Sequence, residues 1–591
     1  MSLSVMNPSA PARVVLRDAA RGRWLEFLRP RELVQARTLA EVEAGLGRVE
    51  EAVAREGVYA AGFVSYEAAP AFDLALAVND VGDFPLLWFG LYEGIQEVQL
   101  PDPPPGSNHG VADWQASVGP EQFRDAVARI KALIRSGDTY QVNYTHRLTT
   151  RLACDPWATF LQLVTAQDPP YGAFVDTGDW VVCSASPELF FQLDGARIEC
   201  RPMKGTAARG RTLAEDLALA QGLRASEKER AENVMIVDMV RHDLGRVAQP
   251  GSVKVDRLFE VERYPTVWQM TSIIEARTEA GLGEIFRALF PPASITGAPK
   301  VRTMQIIAEL EPLPRRIYTG TIGFLAPGRR GQFNVAIRTL LMNRQTGCAE
   351  YGVGGGITWD SDPEAEWQEC RTKAKILAAP APAFSLLETL RWTPTEGYFL
   401  LVRHLERLQD SARYFGFILD LTALRRELEQ LAARFGQARQ KARLLVNRAG
   451  DISLEAQTLP EAAVTQQRVA IARAPVDSAE PLLYHKTTHR SIYEAARAGC
   501  PGVDDVLLFN AKREITESTI ANIAIEIDGK LCTPPVSAGL LPGTLRAHLL
   551  QRGELIERSI TVEELLRSPR VMLLNSVRGS WDVDVVKPEQ Q

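Results

Sequence analysis

Apolar residues recur at helical spacing in EQFRDAVARIKALIRSG (121–137), and Gly137 is placed to stop that helix in a left-handed cap. ERAENVMIVDMVRHDLGRV (229–247) is apolar on several sides, which predicts a buried helix. VVCSASPELFFQL (181–193) and IRTLLM (337–342) read as strands alternating with such helices. Toward the C-terminus, RVAIAR (468–473) and NIAIEI (522–527) read as strands, and IYEAARAG (492–499) as a helix. Two stretches punctuate this pattern. PDPPPGSNHG (101–110) reads as a loop, and AAPAPAF (378–384) as a linker. The reading is therefore a large multilayered α+β domain over 1–377, a linker over 378–385 and a second α+β domain over 386–591.

A chain of 591 residues with 46% hydrophobic and 24% charged residues has material for more than one core. The net charge of −6 argues against a nucleic-acid partner, though a locally basic site for an anionic substrate remains open. Seven cysteines without a CxxC pair argue against a disulfide framework. The N-terminal text lacks the apolar core of a signal peptide, and no stretch approaches a membrane span, so a cytoplasmic enzyme is expected.

Candidate chemistry begins at YGVGGGITWDSDPEAEWQECRTKAKIL (351–377). Ser361 and Glu364 have capping-box spacing with Pro363 in the first turn, so a helix is expected to start there. Glu366, Glu369 and Lys373 then share one face. Gly354, Gly355 and Gly356 allow close approach of a ligand and can present N–H groups to an anion. A solvated Glu369–Lys373 pair accounts for the same spacing. Glu232, in the apolar text of 229–247, would be costly to bury alone. With Glu369 it would suit Mg²⁺; a salt bridge to Arg230 or Lys228 is the alternative.

IRSGDTYQVN (134–143), SASPELF (184–190), RPMKGT (201–206), 229–247, ASITGAPKVRTMQIIAELEP (293–312), FNVAIRT (333–339) and GGGITWDSDPEAEWQE (354–369) occur in one order. In these motifs the chain resembles the chorismate-utilising enzymes over about 118–377, and residues 1–117 resemble the more variable first part of that fold. The resemblance implies Mg²⁺ held by Glu232 and Glu369 with Glu366 close by. It implies an enolpyruvyl carboxylate held by Arg338, Lys373 and the 354–356 amides. Ser294 and Tyr318 match further substrate contacts, and Glu188 matches the acid that protonates the departing C4 hydroxyl.

Two positions separate the activities within that family. Water-adding members carry a lysine base where this chain has Gln141, which matches a substrate-contact position in ammonia users. Lys204 marks the members that aminate chorismate at C4. There the lysine attacks C2 as the C4 hydroxyl leaves, and ammonia then enters at C4 and expels it; pairing with a substrate carboxylate is the alternative role. Gln269 and His242 depart from the usual family residues. No cysteine has the GxCxG setting of a class I glutaminase, so ammonia would come from solution or from a separate glutamine amidotransferase subunit.

LLETLRW (386–392), HLERLQDSARYFGF (404–417), YHKTTHRSIYE (484–494), DDVLLFNAKREITESTIANIAI (504–525), LLPGTLR (540–546) and LLNSVRG (573–579) resemble the fold-type IV pyridoxal-phosphate enzymes. Lys486 matches the lysine that binds the cofactor aldehyde, and Glu517 the carboxylate that pairs with the pyridine nitrogen. Arg407, Gly543 and Thr544 match the phosphate site. Aminotransferases share these motifs with a pyruvate-releasing lyase, and NSVRG and HKTTHR look closest to the lyase. Together the resemblances imply conversion of chorismate and ammonia to p-aminobenzoate and pyruvate. They also allow a homodimer through the second domain.

Overall fold

The alternating strand text folds into antiparallel ladders, and the amphipathic stretches into helices on them. This computed structural model describes residues 4–6, 12–104, 113–152, 154–377, 383–460 and 467–586. Of the expected 101–110 loop only 101–104 fall within them, and of the 378–385 linker only 383–385. The chain divides into two units, Met1–Ala208 with Ala220–Ala381, and Arg209–Leu219 with Pro382–Gln591. The α+β class is what the structure contains. No helix among the described residues is long and apolar enough to cross a membrane.

The first unit is built on an 11-stranded and a 10-stranded sheet, each antiparallel throughout. Prolines end two of the strands beside the residues that line a cavity. Trp180–Ser186 lies in the 10-stranded sheet and Leu189–Asp194 in the 11-stranded one. Pro187, which has no N–H to donate to a ladder, stands between them with Glu188. The expected single strand over 181–193 is thus two, and Glu188 sits where the chain crosses between sheets. Pro202 likewise separates Arg197–Arg201 from Met203–Ala208, the strand of Lys204; both pair with Val267–Arg277. An aromatic cluster fills one core, with Phe191 and Phe333 stacked at 4.8 Å and Phe286 edge-on to both.

The helix Pro120–Arg135 ends at Ser136, and Gly137 follows in the expected left-handed conformation at φ +81°, with the Asp138 N–H reaching back to the Leu133 carbonyl at 3.0 Å. Two local expectations are corrected. The helix Glu227–Gly245 is buried along one stripe, Asn233, Ile236, Val237, Val240 and Leu244, with Val234 39% exposed. Its neighbours cover one side only, so Glu232 is half-buried at a cavity edge and not sealed in a core. The helix Pro363–Ala374 is capped by Asp362, whose carboxylate accepts from the Ala365 N–H at 2.8 Å, a cap worth about 1 kcal/mol. Ser361 instead donates to Glu366.

The second unit holds a four-stranded antiparallel sheet around Leu386–Thr393 and Gln440–Val446, and an eight-stranded sheet. In the latter Ile515–Ser518 pairs both with Asp505–Phe509 and with Asn522–Ile527, which closes six strands into a ring. Glu517 lies opposite Asn522 at that closure.

Candidate active sites

A cavity of about 210 Å³ in the first unit gathers residues from across 143–373. Glu188, Lys204, Glu232, Ser294, Tyr318, Arg338, Gly354, Gly355, Gly356, Glu366, Glu369 and Lys373 all line it. Gln141 lies behind the wall. It is fully buried, among the described residues neither side-chain amide atom has a hydrogen-bond partner, and its Nε2 occupies the space that a Cβ on Gly356 would need.

The glycines lie inside the strand Cys348–Ile357, where Gly354, Gly355 and Gly356 pair with Thr145, Tyr144 and Asn143. The glycines thus belong to a strand and present their amides from its edge. On its other edge Thr339–Asn343 covers only Ala349, Glu350 and Tyr351, so among the described residues no strand pairs with that edge of the glycines. Alternate N–H groups there can serve an anion. A Cβ on Gly356 would lie 2.8 Å from Lys204 Nζ and collide with Gln141. Gly356→Ala is therefore expected to cut turnover at this site by about 100-fold by displacing the amine, with the far-ultraviolet spectrum retained. Parental turnover in a steady-state assay would sink this placement.

Glu188 Oε1 accepts from Ser294 Oγ at 2.5 Å. Burial pushes the Glu188 carboxyl up to about 7, outweighing that hydrogen bond and the charge of Lys204. A carboxyl near 7 keeps a proton available at neutral pH. Burial also holds the Lys204 amine below the ordinary lysine range; Glu232 opposes that shift and Lys373 adds to it. Lys204 thus has an enlarged neutral fraction, as a nucleophilic amine requires.

Lys373 donates to the Gly354 carbonyl and to Glu369, both at 2.8 Å. The expected surface pair exists, but it faces the cavity. Burial opposes the charge on Lys373, and Glu369 outweighs it and keeps the ammonium above its usual value. Glu232 forms no ion pair with Arg230 or Lys228 among the described residues; the Arg230 guanidinium lies 4.6 Å from the Phe259 ring centroid. Arg338, at φ +49° in the bend before Thr339–Asn343, donates to Gln167 at 3.0 Å. Tyr318 is packed between Gly352 and Arg147.

Sequence reasoning missed Glu229 and Lys228, which also line the cavity; their one-turn spacing from Glu232 was the available signal. Gln269 lines the cavity too, within hydrogen-bond reach of Thr206, whereas exposed His242 does not. Burial raises the carboxyls of Glu229, Glu232 and Glu366, and neighbouring carboxylates add to each shift. Crowded carboxylates of this kind suit a divalent cation. Among the described residues no three acidic, imidazole or thiol groups form a ready-made metal cage. Mg²⁺ needs only one or two carboxylates when water and a ligand oxygen complete its shell, so the donor set fits it.

In the second unit Lys486 Nζ is within electrostatic range of Arg407, Glu388, Arg490 and Glu517, and burial pushes its amine down to about 8. Glu517 accepts from Tyr493 at 2.8 Å and from Asn522 at 3.2 Å, and burial pushes it up to about 7. Arg407 grips Glu388 with two N–H groups at 2.8 and 2.7 Å and donates to the Pro542 carbonyl at 3.2 Å. That contact sets it beside Gly543 and Thr544, the N-cap and first residue of the helix Thr544–Gln551. His404 bridges Glu388 and Thr544 at 2.7 and 3.3 Å. Burial opposes ionisation of Glu388; Arg407 and His404 outweigh it and hold the carboxylate at about 2. Glu388 and His404 were not singled out from sequence, where nothing sets them apart. A buried amine, a buried carboxylate and a guanidinium beside a helix N-terminus fit an aldehyde, a pyridine nitrogen and a phosphate on one cofactor.

The family model described as chorismate binding enzyme matches residues 12–379, and that described as amino-transferase class IV matches 385–586. Aminodeoxychorismate synthase component 1 of Klebsiella aerogenes is 44% identical over 258 residues, 43% of this chain and 57% of that protein. Anthranilate synthase component 1 of Streptomyces coelicolor is 39% identical over 274 residues, 46% and 53% of the two chains. The chain thus spans about half the length of the curated relatives it matches. Anthranilate synthase component I from Streptococcus pneumoniae superposes with a TM-score of 0.52 at 26% identity, covering 64% of this chain and 92% of its own. With more than half of its length matched by that model, the chain belongs to the chorismate binding enzyme family and carries an amino-transferase class IV region behind it.

Proposed function

We propose that the first unit aminates chorismate at C4 with ammonia, giving 4-amino-4-deoxychorismate and water, and that the second eliminates pyruvate from that product to leave p-aminobenzoate. The observation that carries the reading is Lys204, whose buried amine lines one cavity with Glu188 and the carboxylate cluster. Ammonia comes from solution or from a separate glutamine amidotransferase subunit. Chorismate is the small-molecule partner, and no nucleic acid or membrane is part of the reading.

Glu232 and Glu369, with Glu366 beside them, would hold Mg²⁺, which when bound neutralises the ring carboxylate of chorismate. Arg338, Lys373 and the free-edge amides of 354–356 bind the enolpyruvyl carboxylate. Ser294 orients Glu188, and Tyr318 and Gln141 shape the wall. Lys204 Nζ forms a bond to C2 as the C4–O bond breaks, and Glu188 gives the departing hydroxide a proton so that water leaves. Ammonia bonds to C4, the C2–Nζ bond breaks, and Lys204 is restored. The first step needs Glu188 protonated, so kcat/KM for chorismate consumption falls as pH rises through about 7. Glu188→Gln is expected to lower turnover by about 10²–10⁴-fold and to remove that limb of the profile. A limb unchanged in the variant would assign it to another group.

In the second unit Lys486, Glu517, Arg407, Gly543 and Thr544 would hold pyridoxal phosphate, which when bound supplies an electron sink. Glu517 would pair with the pyridine nitrogen, Arg407 and the Gly543–Thr544 helix start would hold the phosphate, and Lys486 Nζ would take the C4 proton of the substrate. The test is product analysis with chorismate, Mg²⁺, ammonium and pyridoxal phosphate. Equal p-aminobenzoate and pyruvate are expected; anthranilate or isochorismate without p-aminobenzoate would overturn the assignment. The match to the amino-transferase class IV model favours transamination as the second reading for that half. It predicts amino-group exchange with an added amino acid and keto acid faster than pyruvate release.

A further inference from the structure

Arg209–Leu219 belongs to the second unit although it lies far upstream in sequence. Its residues are tightly held there. The Arg209 guanidinium makes two hydrogen bonds to Asp216, both 2.8 Å, with side chains only 7% and 1% exposed, and Asp216 also accepts from the Gly210 N–H at 2.8 Å. Arg209 donates onward to the Tyr414 carbonyl at 2.9 Å and lies 4.5 Å from the Tyr414 ring centroid. The Tyr414 hydroxyl returns a bond to the Gly210 carbonyl at 2.7 Å. Arg211 donates to the Tyr484 hydroxyl at 3.2 Å, which donates in turn to the Ser478 carbonyl at 2.7 Å. Tyr414 stacks on His485 at 4.4 Å, and Ser411 holds the His485 ring at 2.9 Å. Tyr484 and His485 immediately precede Lys486.

We infer that Arg209, Arg211 and Asp216 are positioning residues for the Lys486 amine, acting through Tyr414, Tyr484 and His485. The inference rests on the reading of Lys486 as the cofactor lysine. The anchor for the lysine of the class IV half is thus encoded some 270 residues upstream, inside the chorismate half. Without 209–216, the backbone before Lys486 loses the groups that hold Tyr414 on His485 and Tyr484 in place.

The test uses the full chain carrying Asp216→Asn, Arg211→Gln or Tyr414→Phe, with Lys486→Ala as reference. The readouts are the equilibrium constant for pyridoxal phosphate release, the absorbance band of the lysine-bound cofactor, and chorismate consumption. Losing a charge-assisted bond predicts about tenfold easier release in Asp216→Asn, with a shifted or weakened band and parental chorismate consumption. Tyr414→Phe, which keeps the ring stack, predicts a smaller loss in the same direction. If Asp216→Asn fails to fold, the other two decide. Parental affinity and band in both, while Lys486→Ala abolishes the band, would overturn the inference and leave the cofactor assignment standing. A band that survives in Lys486→Ala would overturn the assignment instead.

Discussion

Lys204→Ala is expected to lower formation of the para-amino product on the order of 10³-fold or more, because in the proposed reaction that side chain is a covalent nucleophile and not a binding contact. Its strand, Met203–Ala208, is held by backbone pairing to Val267–Arg277, so truncating the side chain leaves the sheet intact. The gap lies against Gly356 and Gln141, where the amine stood. Without the lysine to occupy C2, any remaining amination places nitrogen at C2, and the product becomes the ortho isomer. Pairing with a substrate carboxylate, the other role open to Lys204, predicts a different pattern: a raised KM, modest loss in kcat and nitrogen still at C4. Separation of the isomers after single-turnover incubation distinguishes the two. Undiminished p-aminobenzoate from Lys204→Ala would remove the basis for C4 amination.

Lys486→Ala is expected to stop pyruvate release, by on the order of 10³-fold or more, while chorismate and ammonia are still consumed. 4-Amino-4-deoxychorismate then accumulates, and the absorbance band of lysine-bound pyridoxal phosphate disappears. Burial sets the size of this effect. It pushes the Lys486 amine down to about 8, so at neutral pH a far larger share is neutral than on an exposed lysine. Arg407 and Arg490 add to the shift, Glu388 and Glu517 oppose it. No solvent base reproduces an amine held in that setting. Pyruvate release at parental rate in the variant would assign the proton transfer elsewhere.

Where sequence reasoning succeeded, the signal was local. The order of the motifs pointed to both halves, and the family models match both. Helical spacing put Glu366, Glu369 and Lys373 on one face, and all three line the cavity. Where it failed, contacts outside the pattern that was read decided the outcome. The helix Glu227–Gly245 is buried on one stripe, because adjacent elements cover only that stripe. Asp362 caps its helix in place of Ser361, whose hydroxyl is drawn to Glu366.

Sequence alone determined which groups were on hand: a lysine at 204 in a chorismate-type motif, a lysine at 486 with a carboxylate at 517, and strands and helices enough for two α+β units. Those properties follow from residue identity, periodicity and chain order, all expressed within a few turns of backbone. Tertiary structure alone decided how each group behaves. Burial between two sheets pushes the Glu188 carboxyl up to about 7. Arg407 stands beside the start of the helix Thr544–Gln551 already paired with Glu388. Arg209–Leu219 joins the unit of Lys486. Burial and charge proximity fall off over a few ångströms of space, and linear spacing carries no record of that distance.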